Sequence, residues 1–296
     1  PSRLVGSEMC IRDSFYKEGI RQTILGHEFC IDTGNHTPVA CRKPKYGPLE
    51  STVIQSQVET LVANKQILLC NDSPWLSTIV LAAKPHQEHV TNIKDFISRM
   101  CVSYRALNKI TKPFLFPIPR CEDAIENFGA NATQLFFIIM DALQGYHQIK
   151  VRQEDQQKLA FYAPDGQIYT YQVMPFGPRN SPSVYTCIMS KFKKEWTTLF
   201  QQTYPDIDIT NVGCRIIIDD IILWAPTEQI ALNYCECVII VFKKYRVSFR
   251  LDKCKFLQPR LEFVGHDVSR DGNRPALSKF DTIESWILPI TATNLL

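Results

Sequence analysis

The most constraining feature of this 296-residue chain is a pair of adjacent acids, Asp219 and Asp220, set between apolar arms in RIIIDDIILWA at 215–225. Apolar arms on both sides of a polar dipeptide read as strand, sharp turn, strand. Two carboxylates about 4 Å apart repel by roughly 4 kcal/mol at an effective dielectric near 20, so something positive must offset them. Adjacent acids in a hairpin are also ordinary turn chemistry, but a turn that merely faces solvent has little need of arms this apolar. A divalent ion offsets the repulsion best, and an all-oxygen donor set selects magnesium or manganese over zinc.

A third acid stands in a similar place. LFFIIM, residues 135–140, reads as a strand buried on both faces, and it stops at Asp141. On its own Asp141 is equally a helix N-cap for the ALQGYHQI that follows. Three carboxylates converging from neighbouring strand ends can hold two ions about 3.5–4 Å apart, one activating an attacking oxygen and one neutralising a leaving group. That is equipment for phosphoryl transfer.

Composition excludes more than it assigns. With 45% hydrophobic and 21% charged residues the chain is neither disordered nor collagen-like. Its length allows one large domain or two interlocked ones. A formal net charge of +3 neither demands nor forbids nucleic acid, so charge has to be judged locally. Eleven cysteines, an odd number with no CxxC pair, suit reduced thiols better than a disulfide framework. Apolar runs such as VIIVF at 238–242 fall far short of the roughly 20 residues of a membrane helix, and no signal-peptide core opens the chain. The expectation is an intracellular protein, neither secreted nor membrane-bound. The N-x-T triplets at Asn35 and Asn131 are read as chance.

Periodicity places the remaining elements. Ile54, Val58, Leu61 and Val62 share one face of a helix beginning near Leu49 and ending before NDSPW. STIVLAAKP and RMCVSYRALN read as strands joined by the polar segment 85–98, and the three prolines between Lys109 and Pro119 predict extended chain. IKVRQEDQQKLAFYAPDGQIYTYQV reads as alternating short strands in an antiparallel flap, with Pro164, Asp165 and Gly166 at a turn. Ser181 as N-cap and Pro182 behind it open a helix over 182–198, with Val184, Ile188 and Phe192 on its apolar face and Lys191, Lys193 and Lys194 near its end. ALNYCECVIIVFKKYRV predicts a helix packed on a sheet through Leu232, Val238, Ile239 and Phe242. Asp271–Gly272 marks a turn, and Phe280, Ile283, Trp286 and Ile287 a last helix.

In this order FFIIMDALQGYHQIKV, LAFYAPDG, YQVMPFGPRNSPSVY, IIIDDIIL and LDKCKFLQPRLEFVGHDVS resemble the reverse transcriptase of gypsy-like LTR retrotransposons, part of a retroviral-type pol polyprotein. HEFCIDTG, SPWLSTIVLAAKP and YRALNKIT extend the resemblance over roughly residues 27–288. It implies an α+β right-hand polymerase fold with fingers, a palm of antiparallel sheet backed by helices, and a partial thumb. On this sequence 15–132 and 148–172 would be fingers, 133–147 and 173–266 palm including the primer grip, and 267–296 the start of a truncated thumb. Residues 1–14 read as a non-native leader, and RNase H and integrase regions are expected to be missing from the fragment.

The resemblance also implies roles. Asp141, Asp219 and Asp220 would hold two Mg2+ ions, with Mn2+ as a substitute, and Asp219 is the likelier of the adjacent pair to be a direct ligand. Tyr146 falls where the family keeps an aromatic residue against the sugar, excluding the ribose 2′-OH that separates RNA from DNA. Arg99 would grip the incoming triphosphate in two-pronged fashion and Arg105 brace the fingers. Phe176 and Gly177 would line the nucleotide and template side, Phe263, Val264, Gly265 and His266 form the primer grip, and Lys253 give a proton to pyrophosphate. The partners would be a primed RNA or DNA template and deoxynucleoside triphosphates; the oligomeric state is open.

Three departures from the family pattern stand out. Ile217 replaces the tyrosine of the YxDD box, Ser103 replaces an acid in the fingers block, and an insertion at 85–98 leaves the fingers lysine as either Lys84 or Lys94. Ile217 and Ser103, together with the abrupt C-terminus, motivate an alternative, a catalytically impaired, truncated retroelement relic that keeps the fold and binds nucleic acid weakly. An RNA-templated RNA polymerase is disfavoured by Tyr146. Two further patterns are set aside: Asp32-Thr33-Gly34 spells an aspartic-protease triplet without its partner sequences, and neither His86 with His89 nor Cys235 with Cys237 has further ligands for zinc nearby.

Overall fold

The computed structural model describes residues 22–70, 72–83, 98–119 and 134–276. In chain order the first half of these holds β1 (Glu28–Phe29), α1 (Pro48–Ala63), β2 (Ile67–Leu69), β3 (Thr78–Ala83), β4 (Ser98–Ser103), α2 (Arg105–Ile110), β5 (Phe136–Asp141) and β6 (Lys150–Val151). The second half holds β7 (Phe161–Tyr162), β8 (Ile168–Tyr171), α3 (Ser181–Thr203), β9 (Gly213–Ile217), β10 (Asp220–Ala225), α4 (Glu228–Tyr245), β11 (Lys255–Gln258), β12 (Arg260–Phe263), β13 (His266–Ser269) and β14 (Gly272–Pro275). The proposed leader, the linking segment with Lys84, Lys94, His86 and His89, the Asn131 triplet and the last expected helix lie outside the described residues. The chain divides into two compact units, one built from residues up to 118, 142–192 and 239–250, the other from 119–141, 193–238 and 251 onward.

In the first unit α1 opens with Pro48 at its first turn, and the Glu50 carboxylate accepts the Gly47 N–H at 2.9 Å. Only Ile54 and Val58 of the expected apolar face are buried; Val62 is exposed. β3 and β4 pair antiparallel from Thr78↔Ser103 to Ala83↔Ser98. The strand expected to run through Asn108 stops at Ser103, because RALNKI is made of good helix formers and turns into α2, with Leu107 buried beneath it. The helix stops in turn at Thr111, just ahead of Pro113, where the chain is forced to extend.

The flap expected over 149–173 is only half strand. β7 and β8 form an antiparallel hairpin, its tip at Pro164–Gly166, and β2 joins along β8. Residues 153–159 instead form a 3-10 helix, and β6 pairs parallel to β1. The reason is Asp155, whose side chain is 1% exposed. It accepts the Ile31 N–H at 3.0 Å and holds Arg152 at 2.9 Å and Lys158 at 2.8 Å, each three residues away along a helix with three residues per turn. In α3, Ser181 is the first helical residue rather than its cap, since its buried hydroxyl donates to the Pro175 carbonyl. The helix also runs five residues beyond the expected end, to Thr203. In this unit Phe192 of α3 stacks on Tyr245 of α4, centroids 4.3 Å apart.

The second unit is organised on an antiparallel sheet of order β11-β5-β10-β9. β5 and β10 are in register from Asp220↔Asp141 to Ala225↔Phe136, so Phe137 and Ile139 share a face with Ile222 and Trp224. That face belongs to an apolar cluster completed by Leu135, Ile217, Leu261, Phe263 and Val268. The opposite face, with Ile138, Met140, Ile221 and Leu223, is buried as well. A sheet covered on both sides explains why these strands are continuous apolar runs. β12, β13 and β14 form an antiparallel meander, with the expected Asp271–Gly272 turn before β14. Among the described residues no helix is long and apolar enough to cross a membrane.

Candidate functional site

The apolar strands of the second unit end in acids. Asp141 terminates β5 and Asp220 begins β10 directly opposite it, so the two share the sheet face that Ile139 and Ile222 bury further along. Asp219 sits in the turn between β9 and β10, which is closed by Ile218 in left-handed backbone, φ 52°. A β-branched residue pays strain for that conformation. The three carboxylates repel one another. Burial, then Asp220 and Asp141, push the Asp219 carboxyl up to about 6. Burial and Asp141 raise Asp220 also, while the Lys253 ammonium pulls the other way.

Lys253 lies 3.6 Å from Asp141 Oδ2 and is the cation at this cluster that the structure pairs with an acid. Asp219 Oδ1 is buried without a hydrogen-bond partner. A carboxylate oxygen that has given up water for nothing is a site prepared for something positive. The donor set is all oxygen, as a hard divalent cation prefers. Among the described residues no three His, Cys, Asp or Glu side chains are already gathered at ion-binding distance. The acids are therefore an electrostatically strained cluster, and an ion would have to draw them together. Ile217, the departure from YxDD, is 8% exposed and belongs to the apolar cluster beneath the turn.

A second grouping lies in the first unit. Tyr146, in a 3-10 turn at Gly145–Gln148, is 4% exposed. Its ring stacks on Phe176 with centroids 4.9 Å apart and 27° between planes, and leans on Tyr185 at 5.3 Å. Phe176 is 53% exposed, so one face of its ring is covered and the other open. Gly177 has φ 106°, and a Cβ there would press on the Val102 carbonyl and the Tyr104 ring, each at 3.2 Å. Only glycine meets both conditions. Arg99 and Arg105 are exposed, the first on β4 opposite Ala82, the second at the start of α2.

Of the four residues 263–266, Phe263 is buried in the apolar cluster while Val264 and Gly265, at φ 49° and 71°, make the tight turn into β13. His266 Nδ1 lies 3.1 Å from the Val264 carbonyl. The protease-like triplet is a structural turn: Asp32 Oδ1 accepts the Gly34 N–H at 2.7 Å, and Asp32 Oδ2 pairs with Lys112 at 2.9 Å. Cys235 and Cys237 are buried on α4. Sequence reasoning passed over Asp155, although Arg152, Asp155 and Lys158 at spacings of three were a legible signal. It also passed over the asparagines that hold the loop around Gly177, for which no local pattern exists.

Comparison with known proteins comes down to one family. Residues 84–268 match the profile described as "Reverse transcriptase (RNA-dependent DNA polymerase)". The chain is similar to the retrovirus-related Pol polyprotein from transposon 297 of Drosophila melanogaster, 28% identical over 94% of this chain and 24% of that protein. It is similar also to the Pol polyprotein from transposon opus of the same organism, 26% identical over 90% of this chain and 24% of that one. The chain thus spans about a quarter of the length of these curated relatives. The foamy viral protease-reverse transcriptase in complex with an RNA/DNA hybrid superposes with a TM-score of 0.78 at 19% identity, over 99% of this chain and 36% of that one. Its form with double-stranded DNA gives a TM-score of 0.79 over 47% of that chain. At such identity the likeness speaks for the fold.

Proposed function

The chain belongs to the reverse transcriptase (RNA-dependent DNA polymerase) family, and from that premise we propose that it is an intracellular nucleotidyltransferase that extends a primer 3′-OH with deoxynucleotides on an RNA or DNA template. The observation that carries this reading is the cluster of Asp141, Asp219 and Asp220, whose buried, unpartnered Asp219 Oδ1 and mutual repulsion suit a site for divalent cations. The acids would hold two Mg2+, or Mn2+, which when bound neutralise the triphosphate and favour ionisation of the primer hydroxyl.

The chain's own groups divide the remaining work. Asp141 and Asp220, fixed in register on neighbouring strands, set the line along which primer end and α-phosphate meet, so catalysis is largely positioning and charge complementarity. Lys253, whose ammonium lies 3.6 Å from Asp141, gives its proton to the departing pyrophosphate in this reading. Arg99 takes the triphosphate, Arg105 braces its surroundings, and Phe176 with Gly177 lines the nucleotide. Tyr146 crowds the 2′ position of the sugar. The turn 263–266 supports the primer terminus. In this reading 15–132 and 148–172 are fingers, 133–147 and 173–266 palm, and 267 onward the start of the thumb.

The test is primer extension on poly(rA) with oligo(dT), dTTP and Mg2+, beside the Asp219→Asn, Asp220→Asn double variant. Extension by the wild type that the variant loses is the expected result. A folded wild type that never extends, also when longer versions of the chain are tried, would sink the reading.

A further inference from the structure

We propose that Asn108 is a positioning residue: its carboxamide clamps the backbone beyond Phe176 and thereby holds that ring stacked on Tyr146, fixing the surface that meets the sugar of the incoming nucleotide. The inference rests on the polymerase reading and adds to it a residue outside the site described above.

The geometry is that of a two-ended clamp. Asn108, on α2, donates from Nδ2 to the Gly177 carbonyl at 2.9 Å, and its Oδ1 accepts the Arg179 N–H at 2.8 Å. One carboxamide thus makes the donor and acceptor contacts a neighbouring strand would make. On the other side of Phe176, the buried Ser181 hydroxyl donates to the Pro175 carbonyl at 3.2 Å. Phe176 is therefore bracketed by two side-chain-to-backbone bonds, and its half-exposed ring has little freedom except to lie on Tyr146. Gly177 is backed against Val102 and Tyr104 and cannot retreat. With the clamp open, Phe176 would leave Tyr146, and the two rings would cease to present one continuous wall.

A second staple makes the clamp separable from the fold. Asn180, 6% exposed, accepts the Phe114 N–H at 3.0 Å and donates to the Lys112 carbonyl at 2.8 Å. It anchors the start of α3 without Asn108. Truncating Asn108, which is partly exposed, therefore frees the loop and leaves its base attached.

The experiment compares wild type, Asn108→Ala and Asn108→Asp by steady-state extension with dTTP and with UTP on the poly(rA) primer-template, and by amide hydrogen exchange. For Asn108→Ala the expected result is a rise of about tenfold in KM for dTTP with a much smaller change in kcat, and a loss of about tenfold in the preference for dTTP over UTP. The Arg179 amide should exchange at least about tenfold faster while the Phe114 amide, held by Asn180, stays protected. Asn108→Asp, which keeps the acceptor but repels the Gly177 carbonyl, should restore protection at Arg179 without restoring the sugar preference. Faster exchange with unaltered KM and sugar preference would reduce Asn108 to a structural role and overturn the proposal. So would unaltered exchange at Arg179, or a loss of kcat with protection lost throughout. A wild type that extends no primer is a different result, which overturns the polymerase reading and this inference with it.

Discussion

In Asp219 a carboxylate is held partly out of water between two other acids, and its pKa rises from the usual carboxylate range to about 6. The folded chain then binds this proton more tightly than the unfolded chain does. In the absence of divalent ions, the stability tied to the neutral group is fully present below about pH 4, declines as pH rises and is lost once the pH passes 6. Solvent reaches part of the side chain, so the loss is held to about 2 kcal/mol. Asp219→Asn should therefore raise the stability of the metal-free protein at pH 8 by about 1–2 kcal/mol and leave it unchanged at pH 4, read from urea midpoints in a chelator. An equal gain at both pH values would mean that the buried charge on Asp219 is not its source. Adding Mg2+ at pH 8 should stabilise the wild type more than the variant, since an ion held by the native cluster stabilises by mass action.

The strand pair that carries those acids depends on one close approach. Gly213 opens β9 opposite Trp224 of β10, and a Cβ at Gly213 would overlap the indole ring. The ring has nowhere to go: it is 6% exposed, part of the apolar cluster, and Arg215 lies over it at 5.3 Å. Gly213→Ala should cost about 2 kcal/mol by overpacking, checked by the shift of the denaturant midpoint; a shift under about 0.5 kcal/mol would show that the strands part easily. This pair was legible in the sequence because two apolar arms bracket two acids, a pattern with few other solutions. The acid at 141 was legible for the same reason. The 3-10 helix at 153–159 was not, because it exists to wrap cations around Asp155 and carries no apolar period. RALNKI looked like a continuing strand because no turn residue separates it from the strand before it, although Arg, Ala, Leu and Lys favour a helix and Leu107 is buried beneath it. The Tyr146–Phe176 stack joins residues distant in the chain, which no periodicity links.

Over the whole chain the formal charge is only +3. Its long-range field adds little to nucleic-acid attraction, so binding has to come from Lys and Arg side chains that meet phosphates one by one. Several cations are already engaged with acids: Lys112 with Asp32, Arg152 and Lys158 with Asp155, Lys253 with Asp141. Exposed Arg179, Lys191 and Arg270 are among those left to contribute. Each phosphate neutralised on a duplex adds about 0.9 to the salt slope, so a grip through four phosphates gives a slope of about −3.6 in a plot of log K against log salt. Affinity for a primed RNA/DNA hybrid should then fall by roughly a hundredfold between 50 and 200 mM salt, measured by fluorescence anisotropy. Lys191→Ala should reduce the slope by about 1, whereas Lys112→Ala, which removes a cation already committed to Asp32, should leave it unchanged. A slope near zero in the wild type would mean that binding, where it occurs, comes from stacking on exposed rings such as Phe176, and that these exposed cations do not track a phosphate backbone.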